Sequence, residues 1–222
     1  SASKKLIEKA KETAAEMLES AVSDIEFDNG DFKIVGTDRV VPFRSVAEKA
    51  AGENSVAFDE KETFAPEEAT YPNGTHVCEL EIDMATGEIE LVDYTVVDDF
   101  GRVINPLLLE GQVHGGIAQG LGQAILESCQ YESGSGQLLS ASFMDYTMPR
   151  ADDFPAIRFK RNEVPCETNP LGIKGAGEAG AIGAPPAIVN AIVNALSDHG
   201  IRHVDMPVSP NKVWNILQNV SA

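Results

Sequence analysis

The chain has 222 residues, 35 acidic against 17 basic, for a formal charge of −18. That balance excludes nucleic acid and anionic membrane surfaces as partners, and no apolar run approaches the ~20 residues of a membrane span. Cys78, Cys129 and Cys166 are odd in number, far apart and without a CxxC, so a reducing, cytoplasmic setting is expected rather than a disulfide framework or a zinc site.

In chain order, residues 3–22 read as an amphipathic helix with Leu6, Ile7, Ala10, Ala14, Met17 and Leu18 on one side. A hairpin follows, Asp24 to Asp28 and Phe32 to Val35 around an Asn29-Gly30 turn. Pro42 and Phe43 lead into a short helix through about Ala51. Residues 52–74 are polar and irregular, which divides the chain into a helix and hairpin lobe segment, 1–60, and a larger segment, 61–222. The clearest hairpin is His76 to Asp83 and Glu88 to Asp98. Val77, Leu80, Ile82, Ile89 and Leu91 stand against Glu79, Glu81, Glu88 and Glu90, a sheet with one wet face. A helix is predicted from about Pro106 to Ser128, a turn at Ser133-Gly-Ser-Gly136, a strand over 156–161 and a helix over 186–199 stopped by Gly200. A last helix opens at Ser209-Pro210. The fold class expected is α+β, with mixed or antiparallel sheets and packed helices in two lobes.

The stretch Asn169-Pro-Leu-Gly-Ile-Lys-Gly-Ala-Gly-Glu-Ala-Gly180 sets one carboxylate, Glu178, in a backbone so rich in glycine that a bulky ligand could come close. Lys174 is the nearby positive charge. The proline pair Pro185-Pro186 then suggests a loop that delivers its amides onto a helix N-terminus, a setting that favours anions. A plain structural loop, with Glu178 complementing a helix dipole, is the competing reading.

The predicted helix 106–128 carries a second signal. At 100° per residue, Gln112, Gln119 and Gln123 fall in a narrow arc flanked by Gly115 and Gly116, while Val113, Ile117, Leu121 and Ile125 form the opposite stripe. Each glycine costs about 1 kcal/mol relative to alanine in a helix, so close packing or ligand approach must offset several. Glutamine amides suit the edge of a heterocycle; tight helix packing explains the glycines equally well. His114, on the apolar side, reads as a core or interface histidine, and Asp98, Asp99, Asp145, Asp152 and Asp153 read as turn and capping residues. The histidines show no metal-ligand spacing, so no protein-held metal is expected.

Together these segments resemble the molybdenum hydroxylases, the family of xanthine dehydrogenase, aldehyde oxidase and the aerobic carbon monoxide dehydrogenase large chain. The resemblance rests on Asp99-Phe-Gly-Arg-Val-Ile-Asn-Pro-Leu-Leu-Leu-Glu-Gly-Gln-Val-His-Gly-Gly-Ile-Ala-Gln-Gly-Leu-Gly-Gln-Ala124, Phe143-Met-Asp-Tyr-Thr-Met-Pro-Arg-Ala-Asp-Asp153 and Lys174-Gly-Ala-Gly-Glu-Ala-Gly180, in that order. It implies that Glu178 is the active-site base, taking a proton from a hydroxyl on molybdenum as that oxygen attacks an electron-poor carbon. It implies that Gln112 bonds the pterin and that Gly175, Ala176 and Gly177 pass beside the metal, with Gln119 and Lys174 as further cofactor contacts.

The resemblance also implies a molybdenum–molybdopterin cofactor in its cytosine dinucleotide form, with 2Fe-2S and FAD on iron–sulfur and flavin partner subunits in an oligomeric enzyme. The small-molecule substrate would be an aldehyde, an N-heterocycle or carbon monoxide. Family large chains carry a Gly-rich glutamine segment and an arginine-bearing loop upstream, and neither is present here. The chain therefore reads as the C-terminal portion of such a subunit, either excised or one half of a split subunit, without cofactor or turnover by itself. A non-catalytic assembly module and a phosphate-binding protein are the alternatives; the intact Lys174-to-Glu178 motif speaks against the first, and the lack of a phosphate-loop fingerprint against the second.

Overall fold

Local sequence rules account for the first unit of the fold. The computed structural model describes residues 2–53, 58–66 and 68–220, which separate into two units, 1–66 and 67–222. In the first, helix α1 (Ala2–Leu18) buries Ala10, Ala14, Ala15 and Leu18. It stops before the expected residue 22 because Glu19 turns left-handed, at φ 50°. The amide of Ser20 then bonds the Ala15 carbonyl and that of Glu19 the Glu16 carbonyl. That is the Schellman closure, with glutamate where glycine is usual.

Strands β1 (Ile25–Asp28) and β2 (Asp31–Ile34) pair antiparallel around Asn29 and Gly30, both at positive φ, as the Asn-Gly signal requires. A third strand, β3 (Val40–Pro42), pairs with β2 and was not foreseen; three residues ending in proline give no periodic signal. Helix α2 (Phe43–Glu53) follows. Phe32 is fully buried here, with Phe27 at 4.8 Å and Phe43 at 6.0 Å between ring centroids.

The second unit is built on a mixed three-stranded sheet, β4 (Asn73–Ile82), β5 (Ile89–Asp99) and β6 (Ile157–Arg161), with β4 antiparallel and β6 parallel to β5. Helices α3 (Pro106–Leu121), α4 (Ala184–Ala195) and α5 (Pro210–Val220) complete it. The architecture is α+β, as the sequence predicts. The core joins Tyr94 and Val96 of β5 with Val113 and Ile117 of α3 and Ile188 and Ile192 of α4. Helix α3 passes into a single π-turn, Gly122–Leu126, and ends there rather than at 128. Helix α4 starts two residues earlier than predicted, and Gly200 stops its 3-10 extension at φ 77°.

One irregularity decides what the sheet presents. Leu80 faces Leu91, but Glu79 faces Asp93, so Val92 is an extra residue in β5. Because side chains alternate with period 2, one inserted residue exchanges the faces beyond it. Before the bulge Ile89 and Leu91 point inward; after it Tyr94, Val96 and Asp98 do. Val77 also departs from expectation. It is 59% exposed, because it shares the odd-numbered face of β4 with Glu79 and Glu81.

Candidate active site

The site is assembled on α3 and on the loop from 169 to 183, all within the second unit. Asn105 caps α3, its side-chain oxygen accepting the Leu108 amide at 3.1 Å, with Pro106 in the first turn. The apolar stripe Leu109, Val113, Ile117 and Leu121 is buried, and Gln112, Gln119 and Gln123 are exposed on the opposite side.

The loop is anchored before it reaches Glu178. Asn169 grips Ile173 twice, accepting its amide at 3.1 Å and donating to its carbonyl at 2.8 Å. The Arg102 amide bonds the Gly172 carbonyl, and the Lys174 amide bonds the Phe100 carbonyl. The chain then turns under α3. The Gln112 Nε2 donates to the Gly177 carbonyl at 2.7 Å. Gly180, at φ 83°, lies so close to the Val113 carbonyl and Ile117 amide that a Cβ would overlap both. Gly116 meets the Ala179 carbonyl in the same way, and Gly120 meets Ala184 and Pro185.

The glycines of α3 thus divide by position. Gly116 and Gly120 permit the loop to pack, whereas a Cβ at Gly111 or Gly115 would meet nothing within 4 Å. The packing reading holds for Gly116 and Gly120, while Gly111 and Gly115 face open space.

Glu178 is exposed, one residue from the carbonyl that Gln112 holds. It lines a cleft of about 460 Å³ with Thr70, Gly74, His76, Asp98 and Gly175. Gln112, Lys174, Ala176 and Gly177 line a neighbouring cleft of about 350 Å³, so the segment 174–178 is a wall between the two. A Cβ at Gly175 or Gly177 would meet nothing within 4 Å. Among the described residues, no acceptor takes the amides of Ala176, Gly177 or Glu178. Gln119 lies two turns from Gln112, about 10 Å along the axis, and lines neither cleft.

Lys174 is already paired within the chain. Its ammonium lies 2.6 Å from Asp99 Oδ2, with side-chain exposures of 11% and 7%. Burial alone would raise the Asp99 carboxyl, but Lys174 and the amides of Val164 and Gly101 outweigh it, and the net shift is downward. One expectation needs correction: α4 does not present an anion-binding terminus. Pro185 and Pro186 have no N–H, the Ala184 amide bonds the Gly180 carbonyl, and the Ala187 amide bonds the Gly183 carbonyl.

The sequence reading also missed Asp98 as a site residue. Asp99 does play the expected turn role, accepting the Gly101 amide at 2.8 Å. Asp98 is instead 5% exposed on the inner face, carried there by the bulge at Val92. Its Oδ1 lies 3.8 Å from His76 Nε2, and the opposing residue, Gly74, leaves it room.

Burial pushes the Asp98 carboxyl up to about 6 from 3.8 and the His76 imidazole down from 6.5. A carboxyl that binds its proton more tightly when folded stabilises the fold fully below pH 3.8 and loses that contribution as pH rises through about 6. Asp98→Asn should therefore gain about 2 kcal/mol relative to wild type between pH 4 and pH 8, at roughly 1.4 kcal/mol per pKa unit, since at pH 4 the unfolded carboxyl is already partly ionised. Urea unfolding at the two pH values checks this. His76 adds an opposite slope in both proteins, so the difference between them is the quantity to follow.

Comparison with known families gives the geometry a context. A family model described as a molybdopterin cofactor-binding domain matches residues 1–155. The chain belongs to this family. The match stops short of the Glu178 turn, but full-length relatives extend through it. The gamma subunit of the 6-hydroxypseudooxynicotine dehydrogenase complex of Paenarthrobacter nicotinovorans is 34% identical, over 97% of this chain and 28% of its own. The carbon monoxide dehydrogenase large chain of Hydrogenophaga pseudoflava is 32% identical, over 98% and 28%. Among solved structures, quinoline 2-oxidoreductase from Pseudomonas putida 86 superposes with a TM-score of 0.82 at 35% identity, over 96% of this chain and 28% of that one. The chain thus spans little more than a quarter of the length of these relatives. Among its described residues, no helix is long and apolar enough to cross a membrane.

Proposed function

We propose that this chain is the base-bearing part of a molybdenum hydroxylase catalytic subunit. The observation that carries the reading is the placement of Glu178, an exposed carboxylate on a turn walled by glycine and fixed to α3 through the Gln112–Gly177 bond. The residues present suit a molybdopterin. Three consecutive amides and two side-chain-free positions leave an open polar edge. No cluster of three His, Cys, Asp or Glu among the described residues could hold a bare metal, and molybdopterin brings its own sulfur ligands.

When bound, the cofactor supplies a two-electron oxidation in which the oxygen added to substrate derives from water. Glu178 receives the proton released from that oxygen on a carboxylate oxygen, a task for which reach matters first and basicity second. Gln112 keeps its Nε2 on the loop and offers Oε1 to an N–H of the pterin. The amides of Ala176 and Gly177 donate along the open edge, and Lys174 holds the base of the loop through Asp99. Gln119 is left for the distal part of a longer cofactor such as the cytosine dinucleotide form. The substrate is an aldehyde, an N-heterocycle or carbon monoxide. The rest of the subunit closes the cleft, iron–sulfur (2Fe-2S) and flavin (FAD) subunits take the electrons, and the enzyme works in the cytoplasm.

The test is Gln112→Ala in the full subunit. Molybdenum content should fall several-fold while the melting temperature moves little, because Gln112 is exposed. Unchanged metal content, or a fall in stability that accounts for the metal loss, contradicts the reading.

A further inference from the structure

The turn that carries Glu178 is held on one side by α3; on its other side stands a cluster that the proposed chemistry does not use. Tyr94 is fully buried, and its hydroxyl lies 2.8 Å from His76 Nδ1. The Tyr94 hydroxyl and His76 Nδ1 share one hydrogen bond, with either atom the donor according to the tautomer, and Nε2 faces Asp98 Oδ1 at 3.8 Å, beyond hydrogen-bond reach. The ring cannot rotate without breaking the Tyr94 contact. The two rings meet edge to face, at 82°.

The backbone of Gly183 rests on that ring: a Cβ at Gly183 would overlap the His76 imidazole. Gly183 has an ordinary helical φ of −82°, so its lack of a side chain serves the ring contact rather than the backbone angle. From Gly183 the structure runs back to the base within one short turn. The Ala184 amide bonds the Gly180 carbonyl, and the Ala181 amide bonds the Glu178 carbonyl at 3.1 Å.

We propose that His76, held by Tyr94, is a positioning residue for Glu178: its ring sets the height of Gly183, and the turn transmits that height to the carboxylate. The proposal rests on the reading of Glu178 as the base. Helix α3 fixes one flank through Gln112 and Gly180, and His76 fixes the other. A misplacement near 1 Å at a catalytic group can cost about 100-fold in rate, which is why a buttress matters.

The test uses the full molybdenum-loaded enzyme with Tyr94→Phe, His76→Ala, Gly183→Ala and the pair His76→Ala/Gly183→Ala. Hydrogen exchange at the Ala181 and Ala184 amides is followed in each. Turnover per molybdenum is followed by dye reduction, with whichever of carbon monoxide, benzaldehyde or quinoline the wild type oxidises. Tyr94→Phe keeps the packing and removes only the bond to Nδ1; it should speed exchange at both amides about 10-fold and lower kcat with KM retained. His76→Ala and Gly183→Ala should each do so more strongly. The pair should be less impaired than the product of the two singles, because the small ring substitute makes room for the new methyl.

Unchanged exchange in Tyr94→Phe and His76→Ala, or two single effects that simply multiply, overturns the inference. Glu178→Gln separates the two layers. If it retains full turnover, the reading of the base fails. If it abolishes turnover while the His76 variants keep wild-type kcat and exchange, only the buttress fails.

Discussion

Glu178→Gln in the full enzyme should keep its molybdenum and its melting temperature while losing turnover by about 10²- to 10⁴-fold, the usual worth of a positioned general base. The substitution preserves shape and hydrogen-bonding capacity and removes basicity alone. Glu178 is exposed and its carbonyl, not its side chain, accepts the Ala181 amide, so the fold has no stake in the charge. Metal content and the melting curve therefore serve as internal controls. Turnover within a few-fold of wild type would assign the acid a merely local role at the turn.

Lys174→Met should have the largest effect on stability, about 3–5 kcal/mol, the typical result of removing one partner from a buried ion pair. The ammonium is the only cation within bonding distance of Asp99 among the described residues, and its loss strands a carboxylate of 7% exposure. Two amides, from Gly101 and Val164, would still donate to it, so the damage stops short of a fully unpaired charge. Asp99→Asn on the Lys174→Met background keeps an acceptor for those amides and removes the stranded charge, and should recover most of the loss.

Urea unfolding read at Trp214, the single tryptophan, measures each. The pH dependence has a definite sign. Asp99 is held below its ordinary 3.8, so its contribution is present above that value and is lost as pH falls through the lowered one. The gap between wild type and Lys174→Met should accordingly narrow in acid. A loss under about 1 kcal/mol at neutral pH would mean the pair behaves like an exposed one.

What could be read from sequence followed the strength of local periodicity. The Asn29-Gly30 hairpin, the long hairpin of β4 and β5, and the two faces of α3 all emerged as expected, because alternation and glycine turns are local. The carboxylate Glu178 and the glutamine Gln112 could be paired before any coordinates, since both rest on motifs. Their direct link through the Gly177 carbonyl could not, because it depends on how α3 and the loop meet across 65 residues.

Asp98 was illegible for a sharper reason. Reading β5 with an unbroken period of 2 puts Asp98 outside with Val92, and nothing in the residues from Glu90 to Asp93 announces the inserted position. The partner of Lys174 was illegible in another way: Asp99, which pairs with it, sits 75 residues earlier. Charge on a sequence is not charge in a site until its partner is known.

The account stands on the Glu178 carboxylate lying beside a molybdenum centre in the complete enzyme. A crystal structure of the molybdenum-loaded subunit decides this most directly. The account predicts a Glu178 carboxylate oxygen within hydrogen-bond reach, about 2.6–3.2 Å, of a ligand atom on the metal, with Gln112 still bonded to Gly177. A metal bound elsewhere, or a Glu178 side chain turned away from it with another protein group in that place, would contradict it.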